Sequence, residues 1–134
     1  LGIPSCHIKS KDEDLIIRYF KALNVDYIVL AGWMRILSSK FIQAFPDKII
    51  NIHPSLLPKY KGLDPIQRAL DNGDDVTGCT VHMVTEELDS GRILMQEEVP
   101  IHPYDTLITL TRAVHQAEHR IFPKVLRNLN ISSE

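Results

Sequence analysis

Several things are scarce or missing in this chain, and each absence narrows its chemistry. No apolar run approaches the roughly 18 residues that a membrane-spanning helix requires, and no signal peptide is visible. There is no basic excess: fifteen Lys and Arg face seventeen Asp and Glu, for a formal charge of -2. That balance leaves no electrostatic footprint for nucleic acid. The two cysteines, Cys6 and Cys79, form neither a C-x-x-C pair nor a disulfide framework. Reduced thiols and a cytoplasmic location are therefore expected. No Gly-rich phosphate loop occurs, no G-x-S-x-G elbow surrounds Ser55, and no H-E-x-x-H or matched Cys/His spacing suggests a metal. A serine nucleophile and a metal centre are thus both disfavoured.

What remains is an ordinary soluble composition, 44% hydrophobic and 24% charged over 134 residues, enough for one domain with a real core. The start, Leu1-Gly2-Ile3-Pro4, does not read as an initiator sequence, and the expectation is a piece of a longer protein whose N-terminal part is absent. Periodicity predicts a strand over Ile3–Ile8 and an amphipathic helix from Lys11 to Leu23 with Leu15, Ile16, Tyr19, Phe20 and Leu23 as its apolar residues. A buried strand follows over Asp26–Ala31, then a short helix capped by Ser38 or Ser39 and stopped by Pro46. The next strand is Lys48–Ile52, and a helix begins at Pro65, where proline suits the first turn. Thr77–Val84 alternates as a strand and Ile93–Ile101 makes another. Asp105 is placed to cap a long helix reaching Leu129, with Leu107, Leu110, Val114, Ala117, Ile121 and Val125 as its inner stripe and Pro123 expected to bend it or remove a bond. The order is that of an α/β protein with a parallel sheet, whose functional loops lie beyond the strand C-termini.

One segment stands out chemically: Asn51-Ile52-His53-Pro54-Ser55-Leu56-Leu57-Pro58, with Leu88-Asp89-Ser90-Gly91 further on. Asn51 and His53 are two apart, so on a strand end both point to one side. A carboxamide can hydrogen-bond a developing oxyanion, an imidazole can move a proton, and a carboxylate can charge and orient the imidazole. Each residue also has a plain reading: His53 as a satisfied buried histidine, Asn51 as a strand-end turn former, Asp89 as a turn or cap residue. Contact between Asp89 and His53 decides between the two. His82 lies within a strand and reads as structurally hydrogen-bonded. His115, Glu118 and His119 share a helix face, either solvated or set against a ligand. Lys59, Tyr60 and Lys61 form either a small anion patch or a solvated basic loop.

The Asn51–Pro58 string strongly resembles the signature of the formyltransferases that use 10-formyltetrahydrofolate. Thr80-Val81-His82-Met83-Val84, Glu87-Leu88-Asp89-Ser90-Gly91 and Ile93-Leu94-Met95-Gln96 resemble the same family's second motif. Glu118-His119-Arg120-Ile121-Phe122-Pro123 is similar to the branch that acts on glycinamide ribonucleotide. The likeness runs from about Gly2 to Leu129. It implies a Rossmann-like formyltransferase fold: a mostly parallel sheet with helices on both faces and a C-terminal antiparallel portion, as one N-terminally truncated domain. It also implies formyl transfer from 10-formyltetrahydrofolate, the co-substrate, to the amine of glycinamide ribonucleotide in purine synthesis. Small-molecule partners are implied, without metal, nucleic acid or membrane.

By the same resemblance Asn51 holds the formyl oxygen, His53 transfers the proton and Asp89 pairs with His53. Met34, Arg35, Ile36 and Leu37 match the family's folate-binding turn. Asn51 and the loop Thr85, Glu86, Glu87, Leu88 and Asp89 complete that pocket. His115, Gln116, Ala117 and Glu118 match the stretch that contacts the ribonucleotide. Two features depart from the family pattern: its ribonucleotide-phosphate loop does not occur in this sequence, and Lys9 and Lys11 stand where an arginine usually follows the Gly2–Ile8 strand. Asp64-Pro65-Ile66-Gln67-Arg68-Ala69 looks more like methionyl-tRNA formyltransferase. That enzyme, formyltetrahydrofolate hydrolase and a non-catalytic folate-binding fragment are the alternative readings.

Overall fold

The sheet is built around two buried neighbours, Ile49 and Ile50, whose side chains alternate across the strand Ile49–His53 and so seed a core on each face. The computed structural model describes residues 13–30 and 37–132, with side chains through Leu129. In chain order the elements are α1 (Glu13–Leu23), β1 (Ile28–Leu30), α2 (Ser39–Ala44), β2 (Ile49–His53), α3 (Pro65–Asp71), β3 (Val76–Met83), β4 (Ile93–Pro100) and α4 (Leu107–Ser132). The expected strand at Ile3–Ile8, and the folate-turn residues Met34, Arg35 and Ile36, lie outside the described residues.

The fold is α/β, with strand order β1-β2-β3-β4. β1 pairs parallel with β2, in register Leu30 to Asn51, while β2–β3 and β3–β4 are antiparallel. One face carries Ile28, Leu30 and Ile49 against Ile16, Phe41 and Phe45 of α1 and α2. The opposite face packs Ile50, Cys79, Val81 and Met83 against Leu110, Val114, Ala117, Ile121 and Val125 of α4. Ala117 is fully buried, and its small side chain lets the helix lie close to the strands. Burying each such leucine, isoleucine or valine contributes about 1.5–3 kcal/mol.

Four expectations are corrected here. β3 does not alternate: from Thr77 to Met83 every residue is buried, because α4 covers one face and the loops carrying Ser55, Leu57 and Asp89 cover the other. Leu107 is exposed rather than in the α4 stripe, since it stands in the first turn, before the helix reaches the sheet. The α4 cap is Thr106, one residue after Asp105: its Oγ1 accepts from Thr109 N, and its own N–H donates to Thr109 Oγ1 at 2.9 Å. Asp105 instead closes the preceding turn by accepting from His102 N. On α1, Leu15, Tyr19 and Leu23 are exposed, and Ile16 is the residue that enters the core. Ser38 caps α2 as expected, accepting from Phe41 N, and Pro123 is accommodated inside α4.

Candidate active site

The alternation that sends Ile50 and Ile52 toward α4 sends Asn51 and His53 to the other face, about 7 Å apart along the strand. Register adds to them: Asn51 lies opposite His82, and His53 opposite Thr80, with Gln96 next across on β4. A polar row therefore crosses the carboxyl end of β2, just past the apolar cluster around Phe41 and Ile49. Thr80 and His82 are buried, as is His53.

His53 is held from two sides. Its Nε2 meets the carbonyl oxygen of Tyr60 at 2.8 Å, and its Nδ1 stands 3.6 Å from Asp89 Oδ2, with both side chains only 8% exposed. A carbonyl only accepts, so Nε2 carries a proton, and Nδ1 is the nitrogen left to take up or release one. Both N–H groups of an imidazolium would face acceptors. Asp89 is itself anchored by the backbone N–H of Gly62, which donates to Oδ2 at 2.8 Å. Its backbone is left-handed (φ 48°), a conformation that aspartate tolerates better than most residues. The loop beneath it is tight: a Cβ at Gly91 would stand 1.7 Å from the carbonyl oxygen of Met83, so only glycine lets this chain cross the end of β3.

His82 does more than its strand position suggested. Its Nδ1 lies 3.1 Å from Met83 O, as a structural bond would have it, but Nε2 points at Asp89 Oδ1 across 3.8 Å and has no hydrogen-bond partner. Burial holds its pKa below the ordinary histidine value of 6.5. The bond to Met83 O and the Asp89 carboxylate oppose that shift, and His53 adds to it. The native state thus resists a proton that the unfolded chain accepts near pH 6.5. Stability from this residue is complete above that pH and declines as pH falls below it. Thermal unfolding midpoints should drop between pH 7.5 and 5.5, and His82→Asn, which keeps a donor near Met83 O, should flatten the drop. Equal slopes in the two proteins would contradict this origin.

A second network fixes the loop after β2. Thr80 Oγ1 donates to Ser55 O at 2.7 Å and accepts from Leu57 N and Gln96 Nε2, while Gln96 also donates to Leu57 O. Ser55 is fully buried and its hydroxyl donates to Lys59 O at 2.6 Å, so it is a loop fastener. The Leu57–Pro58 bond within this loop is cis. From sequence, Thr80 and Gln96 stand only within the strings of the family's second motif, Tyr60 only in the Lys59–Lys61 run, and Gly62 carries no site role; Tyr60 and Gly62 reach the site through backbone atoms.

The remaining candidates fall in different places. Leu37 is buried in the core beside Phe41. Thr85, Glu86, Glu87 and Leu88 form an exposed loop leading to Asp89, with Thr85 Oγ1 on Glu87 O and Gln43 Nε2 on Glu86. The exposed side chains of Leu63 and Leu88 flank the two loops beside Asp89. His115, Gln116 and Glu118 lie on α4, which packs on the sheet face opposite to Asn51 and His53. Ala117 is corrected: its side chain is core, so it offers no surface to a ligand. Burial pushes the Glu118 carboxyl above its usual range, with His115 and His119 opposing. Among the described residues no three His, Cys, Asp or Glu side chains are grouped to hold a metal, and no helix is long and apolar enough to cross a membrane. A cavity of about 310 Å³ lies between Arg92, Ile93, Val125 and Leu129 and shares no residue with the His53–Asp89 cluster. Convergent polar chemistry, not open volume, marks the site.

Comparison with known proteins bears on this geometry. Residues 5–126 match the family model described as formyl transferase. The chain is 50% identical over 115 residues to a phosphoribosylglycinamide formyltransferase of Haemophilus influenzae, covering 86% of this chain and 54% of that protein. It is 49% identical over 114 residues to the human trifunctional purine biosynthetic protein adenosine-3, covering 85% of this chain and 11% of that one. The crystal structure of a phosphoribosylglycinamide formyltransferase from Bacillus halodurans superposes with a TM-score of 0.86 at 41% identity, over 91% of this chain and 63% of that one. A formyltetrahydrofolate deformylase from Pseudomonas syringae superposes at 0.80 with 32% identity, over 85% and 38%. The chain thus spans about half the length of the bacterial formyltransferase it matches.

Proposed function

The chain belongs to the formyl transferase family, and from that premise we propose that its protein transfers the formyl group of 10-formyltetrahydrofolate to the amine of glycinamide ribonucleotide. The observation that carries this reading is the convergence of Asn51, His53 and Asp89 at the end of β2, within a sequence half identical to a bacterial phosphoribosylglycinamide formyltransferase. The amine attacks the formyl carbon and gives a tetrahedral intermediate with a negative oxygen. The Asn51 amide donates to that oxygen, a contribution of about 2.7–4 kcal/mol for one such donor. Protonated His53 adds positive charge and carries the proton at Nδ1, moving it from the attacking amine toward the departing folate nitrogen; a positioned proton shuttle is worth roughly 10²–10⁴-fold. Asp89, 3.6 Å from Nδ1, sets the orientation of the ring. The C–N bond to folate breaks as the new C–N bond to the amine persists, and no covalent enzyme intermediate is required.

The test is formyl transfer to glycinamide ribonucleotide, followed in the protein as its cells produce it, with and without the amine. Formylated amine in step with folate release supports the reading. Formate release that ignores the amine would replace it with a hydrolase, the activity in the name of the Pseudomonas syringae neighbour. Asn51→Ala should lower kcat by about 10²–10³-fold, the usual loss for one oxyanion donor, with KM changed only a few-fold. A rise in KM alone would remove Asn51 from the oxyanion role.

A further inference from the structure

Tyr60 adopts a left-handed backbone (φ 55°) despite its large side chain. That conformation crowds Cβ against the backbone in any non-glycine residue and persists only where its surroundings over-determine it. Here they do. The Tyr60 hydroxyl donates to Asp74 Oδ2 at 2.5 Å, and Asp74 also accepts from Asn72 Nδ2 at 2.7 Å and stands 3.7 Å from Lys59 Nζ. Over the Tyr60 ring lies the Arg68 guanidinium, 5.3 Å from the ring centre. Arg68 Nη1 in turn donates to Lys61 O at 2.6 Å and Leu63 O at 3.2 Å. The Tyr60 hydroxyl first, then Asn72, hold the Asp74 carboxyl below its usual range, as expected of a working acceptor.

The segment fastened in this way supplies two backbone groups to the reaction centre. Tyr60 O receives His53 Nε2, and Gly62 N donates to Asp89 Oδ2. We propose that Tyr60, Arg68 and Asp74 form a clamp that presets His53 and Asp89, and that all three are positioning residues for the transfer step. This rests on the reading of His53 and Asp89 as the reaction centre. The clamp acts through the carbonyl direction. Released from Asp74 and Arg68, Tyr60 relaxes toward negative φ, its carbonyl turns, and His53 Nε2 loses the acceptor that fixes its tautomer. Gly62 N moves with it, which loosens Asp89. The Lys59–Tyr60–Lys61 run, exposed at its two lysines, is thereby a fastening loop with Tyr60 as its key.

The test pairs kinetics with ¹⁵N NMR of the His53 ring in Tyr60→Phe, Arg68→Met and Asp74→Asn. The first two break the clamp, and the third leaves one oxygen where two now accept, from the Tyr60 hydroxyl and from Asn72 Nδ2. A displacement of about 1 Å in a reacting group costs up to 10²-fold. Tyr60→Phe and Arg68→Met should therefore lower kcat at least about tenfold with KM within about twofold, and should replace the single Nε2–H signature by a tautomer mixture. Asp74→Asn should fall between the starting protein and Tyr60→Phe in both readouts, since one of the two accepting oxygens is lost. Arg68→Lys, which restores a donor to the two carbonyls, should recover part of the loss. Unchanged kcat and an unchanged Nε2–H signature in both breaking variants would overturn the clamp. If the unaltered protein transfers no formyl group but Arg68→Met still scrambles the His53 tautomer, the clamp stands and the functional reading falls.

Discussion

Replacing His53 by alanine is expected to slow formyl transfer by about 10²–10⁴-fold, the span typical of a lost proton shuttle, while binding of a folate analogue stays measurable. The expectation follows from what surrounds the ring. Tyr60 O accepts from Nε2, so Nδ1 is the ring nitrogen left to exchange a proton. His82 also faces Asp89, but burial disfavours its charged form and its Nε2 is aimed at the other carboxylate oxygen. Titration with a folate analogue, followed by single-turnover transfer, separates the two effects. Near-normal turnover in His53→Ala would remove the proposed mechanism, and a loss of folate binding equal to the loss of rate would recast His53 as a binding residue.

Asp89→Ala is expected to be nearly as damaging, again about 10²–10⁴-fold, because it removes two things at once. The negative charge 3.6 Å from His53 Nδ1 disappears, and Gly62 N–H loses its acceptor. A buried donor left unsatisfied costs about 1–3 kcal/mol, so the 60–63 segment should loosen as well. Asp89→Asn divides these contributions: an amide oxygen can still accept from Gly62 N, but the negative charge beside His53 Nδ1 is gone. Transfer in Asp89→Asn should therefore stay low while the loop stays ordered, as judged by proteolysis within residues 58–64. If Asp89→Asn restores turnover, the carboxylate acts as a loop anchor rather than as a charge.

The candidate site could be read in the sequence where local rules govern it. Period-two spacing put Asn51 and His53 on one face, and the loop residues Asp89-Ser90-Gly91 suited a sharp turn, which the 1.7 Å approach at Gly91 makes obligatory. The helix boundaries at Ser38, Phe45 and Pro65 follow from capping and proline chemistry. What sequence spacing does not carry is register between distant strands. His82 reaches Asp89 and Thr80 reaches Ser55 because β2 and β3 pair as they do, and nothing local to those residues encodes that pairing. Backbone contributions are equally invisible: Tyr60 serves through its carbonyl and Gly62 through its N–H, whatever their side chains suggest. The burial of β3 on both faces and the exposure of Leu107 have one cause, since layer position in the finished fold, rather than residue type, decides which apolar residues are covered.

The identity of the chemistry rests on His53 and Asp89 acting as one unit, and a double-mutant cycle on single-turnover formyl transfer measures that directly. Residues that work through a single shared interaction are strongly non-additive. The His53→Ala/Asp89→Ala double variant should be no more than about threefold slower than His53→Ala alone, since the aspartate has no ring left to charge or orient. Losses that instead multiply, each variant adding its full effect to the other, would show that the two residues serve separate purposes and that their proximity at the end of β2 is not the origin of the activity.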